Sequence, residues 1–151
     1  MRISNMSKYG FLAFILAFTH VGAIVMAMGA AVFIHLQFVR KDLTWGKLKN
    51  FFHFGSRVIW IGLGLAIITG IWIWARIPGP RPGLFYLKLA FVAILIIDGI
   101  LINWVMRPKL EQLPDETRMQ ALPRSLKIRM FISGAFSVIS WWGALFIAIW
   151  L

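Results

Sequence analysis

The chain contains no cysteine, so disulfides, thiolate metal sites and cysteine-ligated iron–sulfur clusters are excluded. Charge is scarce as well: 14% of the 151 residues are charged, where a soluble domain carries about 25%. Acidic residues are fewest, 5 against 16 Lys and Arg, for a formal net charge of +11. In a soluble protein such an excess would point to nucleic acid. Here no soluble basic module exists to carry that function, and no nucleic-acid partner is expected. Internal repeats and low-complexity stretches are also missing.

What the sequence does have is apolar mass. Sixty per cent of its residues are hydrophobic and the mean hydropathy is +0.81. They fall into four blocks, about 9–39, 52–75, 84–106 and 128–151. A helix needs about 20 apolar residues to cross the hydrocarbon core, so each block is long enough. The predicted fold is all-α: one integral membrane four-helix bundle, up-down-up-down, occupying residues 1–151 as a single domain with the lipid bilayer as its solvent. The first block, broken only by Thr19, His20, His35 and Gln37, would form a helix of ~45 Å and must tilt or protrude. It is too long for a signal peptide, and a cleaved leader is not expected. Between the blocks lie a basic segment at 40–50, a stiff Pro- and Gly-rich turn at 78–83, and a longer loop at 107–127 bounded by Pro108 and Pro123.

The basic residues are distributed unevenly among these connections. Eleven lie on the side of the first and third loops and their flanks, including Arg40, Lys41, Lys47, Arg107, Lys109 and Lys127. Five lie on the other: Arg2, Lys8, Arg76, Arg81 and Lys88. The positive-inside rule then places the first and third loops in the cytoplasm and both termini outside. Tyr9, Phe11, Trp72, Trp74, Phe85, Tyr86 and Trp150 frame one boundary, and Trp45, Phe51, Phe52 and Trp104 the other, as an interfacial aromatic belt.

Polar groups inside hydrocarbon are costly, so those that persist there are the functional leads. His20 lies ~15 Å into the first helix, Lys88 ~6 Å into the third from the same side, and Asp98 ~21 Å down that helix. His35 and His53 flank the first loop at similar depth. On the third helix Lys88, Asp98 and Asn103 fall within an arc of ~140°, and on the first His20 and His35 are ~60° apart. Each set can face the bundle interior. A histidine on a transmembrane helix of a four-helix bundle can hold haem iron through an imidazole nitrogen, with a second axial ligand from another His or a neutral Lys. The alternative for His20 is an interhelical hydrogen bond, to Asp98 for example. His35 and His53 read either as hydrated interfacial residues or as a second haem or metal site. Lys88 can instead snorkel to the interface, whereas Asp98 has no such escape. Ser133, Ser137, Ser140 and Ala144 form a small-residue stripe on the fourth helix. Like Gly62, Gly64 and Gly70 on the second and Gly22, Gly29 and Ala30 on the first, it reads as a packing face, with room for a flat ligand as the other option.

Several of these segments carry a resemblance. Lys88-Leu89-Ala90-Phe91-Val92-Ala93-Ile94-Leu95 resembles the third-helix signature of the small bacterial membrane protoporphyrinogen IX oxidase, which is related to copper-resistance-D-type membrane proteins and to small uncharacterised four-helix proteins. Thr69-Gly70-Ile71-Trp72 is similar to the group's second-helix ending, His20 matches its first-helix histidine, and Trp104, Pro108-Lys109-Leu110 and Arg129-Met130-Phe131 fit the next boundary. The resemblance implies a haem-b protein of the bacterial cytoplasmic membrane, with His20 and Lys88 at the ligand positions. The oxidase has a histidine where this chain reads Asp98-Gly99, and an aromatic, proline and arginine stretch where it reads Gly29-Ala30-Ala31-Val32. The uncharacterised relatives fit better.

Three functions follow as expectations. The first is a small haem-b-binding redox protein, with one haem or two, passing electrons or oxidising a porphyrin- or quinone-type substrate; His20 is its main iron ligand, Lys88 the second and Asp98 a proton carrier. The second is a cofactor-free accessory subunit of a larger membrane complex. The third is a small-solute or metal transporter using His35, His53 and Asp98, for which four helices make a thin pore unless the protein forms a homo-oligomer.

Overall fold

In the computed structural model the described residues are 3–40, 42–76 and 82–150. The turn at 78–83 falls mostly outside them, as do Arg2 and Arg81. The chain is an all-α four-helix bundle: α1 (Ile3–Val39), α2 (Trp45–Arg76), α3 (Pro82–Leu101), a π-helical turn (Ile102–Met106), a short α4 (Arg107–Glu111), a 3-10 turn (Met119–Ala121) and α5 (Arg124–Trp150). Four segments are long and apolar enough to cross a membrane: Gly10–Val39, Trp45–Arg76, Gly83–Glu111 and Arg124–Ala148. Large apolar side chains cover the outside, among them Phe18, Trp104 and Phe131, each more than 70% exposed. Water would not tolerate that surface, and lipid does. This is a multi-pass membrane protein.

The helix ends differ from those that hydropathy predicts. α2 begins at Trp45 rather than near 52, α5 at Arg124 rather than near 128, and the third span runs on to Glu111. Hydropathy marks where lipid ends, and a helix continues until its backbone finds other partners. For α2 those partners come from the distant loop: Trp45 N–H donates to Thr117 O at 2.8 Å and Gly46 N–H to Asp115 O at 2.9 Å. Met119 N–H returns the contact to Leu43 O at 3.0 Å. The segment at 107–127 is thus a folded cap, in which Leu110, Met119, Leu122 and Leu126 are buried with Trp45, Leu48 and Phe52.

The π turn has a local cause. Pro108 has no N–H to give the carbonyl four residues back, and Arg107 N–H bonds Ile102 O, five residues back. Within this widened turn Asn103 Nδ2 donates to Gly99 O at 2.8 Å, while its Oδ1 accepts from Ser56 of α2 at 3.0 Å.

Packing divides the bundle into two hairpins. α1 lies closely on α2, and α3 on α5, while backbone contact between the hairpins is much sparser. In the first hairpin Ala23 and Ala27 meet Gly62, where a Cβ would stand 2.8 Å from both Ala23 O and Ala27 Cβ. In the second, Phe91 fills the space over Gly143. Gly22, Gly29 and Gly64 meet no neighbour within 4 Å, so they are not part of a close seam. The hairpins are joined by Ser56–Asn103, by Trp60 against Gly99, and at the far end by Trp74 stacked on Phe85 at 4.8 Å.

Candidate functional site

His20 is half-buried on α1, and its Nδ1 lies 2.9 Å from Thr69 Oγ1 of α2. The direction of this bond can be deduced. With the hydroxyl hydrogen of Thr69 on Leu65 O, 2.6 Å away, Oγ1 accepts from Nδ1–H, and the Ala66 carbonyl is a further acceptor for the ring. In the neutral ring Nε2 is then a bare lone pair, with no partner among the described residues. The glycine after Thr69 leaves room for the ring, since a Cβ on Gly70 would stand 3.1 Å from His20 Cε1. Lys88 is half-buried on α3. The interhelical bond of His20 therefore goes to Thr69 and not to Asp98.

Asp98 belongs to a second location, nearer the cap. Ser133 of α5 donates to its Oδ1 at 2.6 Å. The next residue, Gly134, receives the ring of His35 from α1: a Cβ there would lie 2.5 Å from Cδ2 and 2.9 Å from Nε2. His35 Nδ1–H donates to Ala31 O at 2.6 Å, and a carbonyl can only accept, so Nε2 is again the free nitrogen. Three helices thus bring His35, Asp98 and Ser133 together. They line a cavity of about 710 Å³ in the looser space between the hairpins, which Trp60, Leu95 and Trp141 also wall. Neither His20 nor Lys88 lines it.

His53 sits at the cap end of α2 in a third setting. Arg107 Nη2 donates to its Nδ1 at 3.2 Å, which places the ring hydrogen on Nε2. That nitrogen is 3.2 Å from Glu111 Oε1 but outside hydrogen-bond geometry, and Glu111 is held by Arg107 Nε at 2.8 Å. The three histidines occupy three separate places. Among the described residues no three His, Asp or Glu side chains gather as a metal-ligand group.

Compared with protein-family models, with curated proteins and with solved structures, the chain matches none.

The tautomers of His20 and His35 decide what these residues can do. Metal-bound imidazole commonly donates its second N–H to a protein acceptor, which fixes the ring and raises its basicity. Both α1 histidines have that arrangement, one on a threonine hydroxyl and one on a carbonyl. His53 has its Nδ1 lone pair engaged by Arg107. Sequence reasoning picks out His20, His35, Lys88, Asp98 and Asn103, but it misses Thr69 as the partner of His20, Ser133 as that of Asp98 and Ser56 as that of Asn103. The only advance signal for Ser133 is its place in the serine stripe, which packing explains as well.

Proposed function

We propose that this protein is a small haem-binding redox protein of the bacterial cytoplasmic membrane, with His20 as the principal iron ligand and Lys88 as the candidate second ligand. The observation that carries the reading is the His20–Thr69–Leu65 relay, which holds the imidazole by Nδ1–H and leaves Nε2 bare. A nitrogen lone pair on an oriented ring and a neutral amine from α3 are donor types that fit haem iron. Bound haem would supply one-electron chemistry. Thr69 holds the ring by Nδ1–H, and Gly70 leaves the ring its space. The basic cap faces the cytoplasm in this reading.

The experiment is a visible spectrum of the purified protein, oxidised and reduced, after expression with ample haem. A Soret band that is lost in His20→Ala and shifted in Lys88→Met is expected. No band overturns the reading, and a band that survives His20→Ala moves the ligand elsewhere. Stoichiometric copurification of partner subunits with no Soret band would favour the accessory-subunit reading.

A further inference from the structure

We propose that the cavity between the two hairpins binds a hydroquinone, the hydroxyl-bearing reduced form of a membrane-dissolved quinone-type molecule, with His35 Nε2 and the Asp98 carboxylate accepting its phenolic hydrogens. The inference goes beyond haem at His20 and uses neither proposed iron ligand.

The cavity has the size of a small-molecule site. Its volume of about 710 Å³ lies within the ~300–1,000 Å³ typical of ligand pockets. Its walls are apolar and partly aromatic, with Phe52, Trp60, Leu63, Leu95 and Trp141 among them. It also reaches the bilayer directly. Phe131 and Ile139 line it and are 79% and 60% exposed, so its mouth opens sideways between lipid-facing side chains. A ligand entering there comes from the hydrocarbon phase rather than from water.

The polar groups select the ligand's chemistry. Several donors in the cavity already have acceptors. Ser56 O–H goes to Asn103 Oδ1, Asn103 N–H to Gly99 O, and Ser133 O–H to Asp98 Oδ1. Lys127, near the start of α5, donates to Gln120 O in the cap, and Ser137 adds a hydroxyl that takes either role. Two acceptors stay open, the His35 Nε2 lone pair and the second oxygen of Asp98, neither hydrogen-bonded among the described residues; the indole N–H groups of Trp60 and Trp141 and the remaining Lys127 hydrogens are open donors, which the oxygen of a hydroxyl can answer at the same time. Acceptors left dry in an apolar cavity are costly, and a ligand that brings O–H groups relieves them. A hydroquinone does so, whereas the corresponding quinone brings only further acceptors. A lipid acyl chain fits the walls but answers neither polar group.

The test compares the two redox forms of one probe. Decylubiquinol and decylubiquinone are titrated anaerobically into the full-length protein in nanodiscs, with lipid-only discs as the partition reference. Saturable binding of one decylubiquinol per chain is expected, about tenfold or more tighter than decylubiquinone. Asp98→Asn and His35→Leu should each remove most of that preference. Ile139→Trp, on the lipid-facing mouth where folding is not at stake, should weaken binding of both forms. The proposal is overturned if uptake does not exceed that of lipid-only discs, if both forms bind equally, or if all three variants bind as the parent does. Because a Soret band plays no part in the readout, this result and the haem result stand or fall separately.

Discussion

His35 of α1 lies against Gly134 of α5, so close that a methyl group on the glycine would stand 2.5 Å from the imidazole Cδ2. It is a close approach between the two hairpins, whose backbones are otherwise well separated, and His20 makes the corresponding approach to Gly70 within its own hairpin. Gly134→Ala should therefore push His35 out of position and destabilise the bundle by about 1–3 kcal/mol. Adding His35→Ala should relieve the clash, so the double variant should be more stable than the sum of the two singles, by about 0.5 kcal/mol or more. Reversible unfolding in detergent measures this, and strictly additive losses would show that the two residues are not in contact.

Thr69 is predicted to matter for its hydroxyl and not for its shape. Thr69→Val keeps the volume but leaves His20 Nδ1–H without its acceptor. Single interhelical hydrogen bonds in membrane proteins contribute about 0.6 kcal/mol on average, so the stability loss should be modest. Thr69→Ser should be close to the parent. If haem binds as proposed, Thr69→Val should also shift the reduced spectrum, because the Nδ1 partner tunes the ligand. Equal behaviour of the Val and Ser variants would rule out the relay.

Two glycines one turn-half apart on α2 should respond in opposite ways. Gly62→Ala forces a methyl to within 2.8 Å of Ala23 O and Ala27 Cβ and should separate α1 from α2. Gly64→Ala meets nothing within 4 Å and should gain up to about 1 kcal/mol from helix propensity. Thermal melts of the two variants in the same detergent decide the matter. Loss of stability in both would mean that α1 and α2 pack on a different face.

The absence of cysteine makes the topology directly testable. Single cysteines introduced as Gln120→Cys in the cap and as Gly79→Cys in the opposite connection are the only thiols in the chain. With the basic cap in the cytoplasm, a membrane-impermeant maleimide added to intact cells should label residue 79 and spare residue 120. The reverse pattern inverts the orientation.

The candidate site was legible in part. His20, His35, Lys88 and Asp98 stand out because a polar side chain in a long apolar run has no other ready explanation. Their partners do not stand out, because Thr69 and Ser133 are ordinary residues for a membrane helix until another helix is laid beside them. The glycines make the same point: Gly62 and Gly64 look alike along the chain, and only one of them meets a neighbour.

The four spans, their apolar exterior and the all-α class are determined by the sequence alone, since continuous apolar blocks of more than about 20 residues cross lipid as helices, whose backbone groups are satisfied within each segment. Composition reports that constraint locally, residue by residue. The start of α2 at Trp45, the cap at 107–127, the free nitrogens of His20 and His35 and the cavity between the hairpins were decided by the tertiary structure. Each depends on a hydrogen bond or a clearance between residues far apart in the chain. Hydropathy carries no record of which side chains those will be.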